Sequence, residues 1–304
     1  MTNTVTLTKD LASLHLLPER GGLLRKLTLV SSRGEPVEIL WAGSDFDPTG
    51  SGWPMGGMPF LFPFAGRVFH EGQPLRYPLG GEVLHMPLHG FAYGLPWEAI
   101  SETPSSVTCR LTDSAGTHAL FPFAFAVEAH YTLEACSLEV RIHVESRGAL
   151  DPSLGAMPIA PGWHPFFRMP FRPLSRLSEC VLETSAQHKV RVTQQGAPGK
   201  SAPFPEDPAE KEPRLSDPLY RNLILANHTS PAIRVQDRDS KLTLAVEWDP
   251  ADAMRYVVLW SREGEGFHCV EPWMSLPDPL AAGHRVVWLE KGESFAFKTK
   301  ISLT

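Results

Sequence analysis

Leu138-Glu139-Val140-Arg141-Ile142-His143-Val144 alternates apolar and charged or polar side chains without a break. A repeat of two is the signature of a β-strand with one face in a core and one in water. Just before it, Phe125, Val127, Ala129, Tyr131 and Leu133 alternate with Glu128, His130 and Thr132 in the same way. The short Glu134–Ser137 link between the two runs predicts an antiparallel hairpin. The pattern recurs at Val107–Leu111, Leu242–Trp248 and Phe295–Leu303, and no stretch keeps a helical period beyond about three turns. Many antiparallel strands in one chain predict an all-β protein built as a large antiparallel β-sandwich, two sheets face to face.

Composition agrees. The 304 residues include 29 prolines, about twice the usual ~5% share. Proline removes a backbone donor and costs about 3 kcal/mol inside a helix, so bundle and Rossmann-like folds are disfavoured. The 28 basic and 34 acidic residues give a net charge of −6, which provides no field for nucleic acid. The longest apolar run, Ala119–Val127, contains Pro122 and is too short to span a membrane. The polar Met1–Asp10 segment shows no signal-peptide pattern, so a soluble, cytoplasmic protein is expected. Cys109, Cys136, Cys180 and Cys269 form no C-x-x-C pair and are expected as buried thiols. His85 and His89 have the spacing of a helical zinc pair, but Pro87 between them argues against a helix and no metal is expected.

Two segments break the strand rhythm. Ser51–Pro87 is rich in Gly, Pro and Phe, and Ala197–Pro218 carries six prolines among charged residues. The second is expected as a long surface loop, and residues 1–304 as one domain.

Three stretches place ionisable residues among aromatics and turn formers. They are Phe62-Pro63-Phe64-Ala65-Gly66-Arg67 with the later Leu88-His89-Gly90-Phe91-Ala92, then Pro161-Gly162-Trp163-His164-Pro165-Phe166-Phe167, then Cys269-Val270-Glu271-Pro272-Trp273. Burying Arg, two His and Glu separately is costly, and the cost falls if they meet.

These motifs, with Pro96-Trp97-Glu98, Gly21-Gly22 and Glu38-Ile39-Leu40-Trp41, stand in the order that resembles the aldose 1-epimerases over nearly the whole chain. The resemblance implies a galactose mutarotase-like supersandwich with a sugar cleft across one sheet. It implies Glu271 as general base, His164 as general acid, Arg67 and His89 as sugar-holding residues, and Asp217 as the match to a hydroxyl-binding aspartate. Trp163 and Trp273 are expected to offer flat faces to the sugar. The expected partner is a small-molecule sugar, with no nucleic acid, membrane, metal or cofactor, and the chain is expected as a monomer or homodimer. Tyr93 and Phe166 depart from residues common in the family, arginine and tyrosine respectively, which bears on sugar preference.

Three other readings stand beside this one. A hexose-6-phosphate 1-epimerase needs a phosphate clamp, with Arg168 and Arg76 as candidates. A non-catalytic carbohydrate-binding protein needs no base. A glycoside hydrolase needs two carboxylates, Glu271 and Asp217.

Overall fold

The structure is a computed structural model that describes residues 4–44, 46–205, 212–251, 253–281 and 284–304. The predicted hairpin is its longest feature. Strands Phe123–Leu133 and Ser137–Ala149 pair antiparallel from Leu133↔Leu138 through Ala129↔Ile142 to Phe123↔Ala149. The strand Ser294–Leu303 lies along the hairpin's other side and puts Phe297 opposite Ile142. Around these three an eight-stranded sheet forms, running from Glu98–Glu102 at one edge to Cys180–Thr184 at the other.

A second eight-stranded sheet packs against the first. Its middle runs His188–Val192, Asn222–Ala226, Tyr256–Trp260, Phe267–Trp273 and Gly162–Trp163. Ala129, Ile142 and Phe297 from one sheet join Leu223, Leu225, Val257, Leu259 and Val270 from the other in one continuous apolar core. Burial of this kind stabilises by about 25 cal/mol per Å² of apolar surface, enough in aggregate to define the fold.

The second sheet is buried on both faces. Leu223 and Ile224, or Val257 and Val258, are neighbours in sequence and all buried. Their side chains point to opposite sides, so a second apolar layer of Leu61, Val190, Ile224, Val258 and Trp273 covers the outer face. That outer layer is the floor of the cleft described below.

The proline-rich segments are more ordered than expected. Pro198–Pro203 within Ala197–Pro218 is a strand paired with His188–Val192, not loop. It is an edge strand, where a proline's missing N–H can face outward without breaking a ladder. Residues 206–211 of that segment lie outside the described residues. Ser51–Pro87 holds two small hairpins, Phe69–His70 with Gln73–Pro74 and Arg76–Leu79 with Glu82–His85. All four cysteines are free thiols, but Cys136 is exposed, because it sits in the turn of the long hairpin rather than on a core face.

Candidate active site

Register across the second sheet assembles the site. Val190, Ile224, Val258 and Glu271 lie opposite one another in successive strands, and a parallel row runs Asn222, Trp260, Cys269, Phe166. Because alternate residues share a face, Cys269, Glu271 and Trp273 emerge together from the strand Phe267–Trp273. On the next strand Gly162 faces Trp273, and a side chain at Gly162 would meet the indole at 2.7 Å. The result is a cleft of about 390 Å³ with Glu271 and His164 in its lining.

His164 Nε2 lies 3.3 Å from Glu271 Oε1. The pair is 5% and 1% exposed, so water scarcely reaches it. Among the described residues, neither Glu271 oxygen nor His164 Nδ1 has a protein hydrogen-bond partner. Aromatic rings close around the imidazole: Phe166 stacks on it at 4.7 Å and Trp53 meets it edge-on at 4.9 Å. Burial pushes the Glu271 carboxyl well above its usual range, and the Trp273 indole, short of hydrogen-bond geometry, opposes this only weakly. Burial also pulls the His164 imidazole down to about 3. Both groups therefore favour their neutral forms, a protonated carboxyl beside a free imidazole. One proton serves the two.

His89 is held by its own loop. Its Nδ1 accepts the Gly66 N–H at 3.1 Å, and its own N–H donates to the Gly66 carbonyl at 2.9 Å. With Nδ1 accepting, the ring proton must sit on Nε2, which leaves that nitrogen as a donor. Burial first, then the charges of His164 and Arg67, hold His89 well below the usual histidine range, so it stays neutral. The backbone there is strained: His89 has φ +66, a conformation rare for a side-chain-bearing residue. Gly90 follows at φ +76, where a side chain would collide with the Phe62 carbonyl. Trp53 stacks on His89 at 4.7 Å and so touches both histidines.

Arg67 lines the cleft and donates from Nη1 to the Gln195 carbonyl at 3.1 Å. Arg262 lines it from another side with its guanidinium 5.5 Å above the Trp260 ring. Glu271 is the only carboxylate among the described lining residues.

The structure thus brings Glu271, His164, His89, Arg67 and Trp273 to one cleft. It does not bring Trp163 or Asp217. Trp163 is fully buried on the sandwich side, its ring 4.8 Å from Phe60. Strand alternation is the reason: Gly162 faces the cleft, so Trp163 must face away. Asp217 is exposed and caps the 3-10 turn Pro218–Arg221, its Oδ1 accepting the Leu219 N–H at 2.8 Å. Its Asp-Pro context is itself a capping signal, an acidic cap followed by proline at the first position of the turn. Arg168 lies outside the cleft beside Glu38, at 3.4 Å, and Arg76 is an exposed strand residue. Sequence reasoning missed Trp53, Asn222 and Arg262. Asn222 reaches the cleft only through its register opposite Trp260, and neither it nor the other two belongs to a motif.

The Aldose 1-epimerase family profile matches residues 3–302. No curated protein matches the sequence. Among solved structures, the Slr1438 protein from Synechocystis sp. PCC 6803 has 26% identity, a TM-score of 0.82, and coverage of 100% of this chain and 96% of its own. A putative aldose 1-epimerase from Escherichia coli K12 has 19% identity and a TM-score of 0.77, with 99% of each chain covered. A galactose mutarotase related enzyme from Lactobacillus acidophilus has 19% identity and a TM-score of 0.80, covering 99% of this chain and 97% of its own. Among the described residues no helix is long and apolar enough to cross a membrane.

Proposed function

The chain belongs to the aldose 1-epimerase family, and from that premise we propose that it interconverts the α and β anomers of a hexose, opening and reclosing the ring between Glu271 and His164. The observation that carries the proposal is the buried pair itself, 3.3 Å apart at the floor of a cleft, with neither Glu271 oxygen nor His164 Nδ1 hydrogen-bonded among the described residues. A merely structural carboxylate at that depth would be hydrogen-bonded by its neighbours.

The chemistry needs one base and one acid. The C1 hydroxyl must lose a proton while the ring oxygen gains one, so that the C1–O5 bond can break. In the resting site one proton is shared, and moving it from Glu271 to His164 creates both working forms without changing net charge. The carboxylate then takes the C1 hydroxyl proton as imidazolium protonates the ring oxygen. Opening leaves an aldehyde beside a neutral carboxyl and a neutral imidazole, the same state the buried site favours at rest. Rotation about C1–C2 turns the other carbonyl face to the O5 hydroxyl. Closure then runs the transfers backwards: imidazole accepts the O5 proton and the carboxyl returns one to O1. Each group contributes on the order of 10²–10⁴-fold.

The remaining residues hold the sugar. His89 Nε2–H is a fixed donor, Arg67 and Asn222 offer polar contacts, and Trp273 supplies apolar surface. The glycosidase reading loses its second carboxylate, because the described lining holds Glu271 alone. One observation favours a phosphorylated substrate as the second reading: Arg67 and Arg262 both line the cleft, and among the described lining residues no carboxylate other than the buried Glu271 offsets them.

Polarimetry of freshly dissolved α-glucose, α-galactose and α-glucose 6-phosphate tests this, with wild type beside Glu271→Gln and Arg262→Ala. Acceleration lost in Glu271→Gln supports the enzyme and its base together. A loss of rate in Arg262→Ala for the phosphate alone selects the second reading. No acceleration of any of the three sugars overturns the proposal and leaves a carbohydrate-binding protein.

A further inference from the structure

Cys269 has no part in the ring-opening chemistry, yet it stands against both groups that do. It precedes Glu271 by two residues on the same face of the strand Phe267–Trp273, and it pairs across the sheet with Trp260 and Phe166. The three residues Cys269, His164 and Glu271 each offer a ligand atom, and these atoms lie within 4.8 Å of one another. All three side chains are buried, at 0%, 5% and 1% exposure. Both Glu271 oxygens and His164 Nδ1 lack protein hydrogen-bond partners among the described residues.

The donor set is diagnostic. Magnesium and calcium prefer oxygen alone, whereas sulfur, imidazole nitrogen and one carboxylate oxygen suit zinc and its relatives. The distances are close to suitable. The centre of a triangle with 4.8 Å edges lies about 2.8 Å from each corner, and zinc bonds run about 2.0–2.3 Å. Side-chain adjustments of under ~1 Å therefore bring three ligands onto one ion.

We propose that Cys269, His164 and Glu271 form a three-ligand site for a thiophilic divalent cation of the zinc class, with its fourth position open to the cleft. On binding, the Cys269 thiol and the neutral Glu271 carboxyl each give up a proton to solvent as the metal–sulfur and metal–oxygen bonds form, while the neutral His164 imidazole binds without losing one. The ion then occupies both groups that must move protons, so it acts as an inhibitor of the cleft and not as a cofactor. Metal binding stands by itself; the inhibition rests on the epimerase reading above.

Cobalt(II) titration of the full chain tests the site, because cobalt reports its ligands optically. Wild type should bind one equivalent with a thiolate-to-cobalt charge-transfer band in the near ultraviolet, and zinc should displace it. Cys269→Ser should abolish the band and weaken zinc binding at least tenfold, whereas Cys136→Ser, which removes the exposed thiol, should leave both unchanged. If Cys269→Ser does not fold, Glu271→Gln decides instead: the band should survive while affinity falls at least tenfold. Absence of the band in wild type, or its loss in Cys136→Ser and survival in Cys269→Ser, overturns the proposal. In the activity arm, zinc should slow mutarotation, a chelator should restore it, and Cys269→Ser should need at least ten times more zinc. Equal sensitivity of the two proteins would overturn the inhibitory role. A chain that accelerates no sugar in metal-free buffer defeats the epimerase reading, and the cobalt spectra still decide the site.

Discussion

Asp237 and Glu271 are both buried carboxylates, at 0% and 1% exposure, in different regions of the same molecule. Asp237 ends a strand of the first sheet, and its two oxygens accept the Phe171 and Ser240 N–H groups, each at 3.2 Å. Glu271 sits on the outer face of the second sheet, where no hydrogen bond from the described residues reaches its carboxyl oxygens. Equal burial therefore has opposite meanings. The first carboxylate holds two chain segments in place; the second, on the function proposed above, is left for a substrate to satisfy. A buried polar group left without partners costs free energy, and such a cost persists in a fold where the group serves chemistry.

The sharpest way to break this contrast is to neutralise each carboxylate in turn. Glu271→Gln should lower the rate of mutarotation by about 10²–10⁴-fold, the range of a lost general base. Its stability should not suffer. Glu271 has its folded pKa raised, so its contribution is fully present below the unfolded value of 4.5 and is lost as pH rises through the folded one. Glutamine avoids that loss. The melting temperature of Glu271→Gln should thus match wild type near pH 4 and equal or exceed it at pH 7. Asp237→Ala should do the reverse, costing about 2–4 kcal/mol by leaving two N–H groups unpaired while the activity per folded molecule is kept. A fall in melting temperature for Glu271→Gln like that of Asp237→Ala would erase the distinction.

A smaller effect sharpens it through pH. An ordinary glutamate–histidine pair holds a single proton only between about pH 4.5 and 6.5, so its activity at pH 7.5 would already be down about tenfold. Here burial moves the two groups apart in the opposite sense, His164 down to about 3 and Glu271 well up, which extends the one-proton range on the acid side and makes Glu271 its basic limit. The acid limb of kcat/KM, which reports the free enzyme, should therefore fall near pH 3 and not near 4.5, and the basic limb should follow the raised Glu271 carboxyl. A bell centred near pH 5.5 would show that the pair titrates like exposed residues.

The same contrast explains what the sequence could reveal. The first sheet has one face in water, so Leu138–Val144 and its partner alternate and announce themselves. The second sheet is buried on both faces, and Tyr256–Trp260 reads as an uninterrupted apolar run that periodicity cannot orient. Glu271 and His164 stood out because ionisable residues among aromatics are anomalous anywhere. Asn222 did not, because its place in the cleft depends on a strand register that no local motif encodes. Trp163 differs from its expected place because Gly162 and His164 face the cleft, and the residue between them cannot.

Asp217 is the smallest of these tests and the most exacting. The family resemblance implies it as a sugar ligand through its Leu215–Tyr220 stretch, whereas the structure gives it to the Leu219 N–H at the start of a short 3-10 turn. A cap of this kind is worth about 1 kcal/mol. Asp217→Ala should accordingly lower the melting temperature slightly and leave KM and kcat for every accelerated sugar within error of wild type. Asn222→Ala, which removes a polar group that does line the cleft, should raise KM severalfold with little change in stability. If the two variants exchange these outcomes, the hydroxyl ligand lies on the turn after all. The proposed sugar contacts of the cleft would then need revision, although the proposed acid–base pair at its floor would stand.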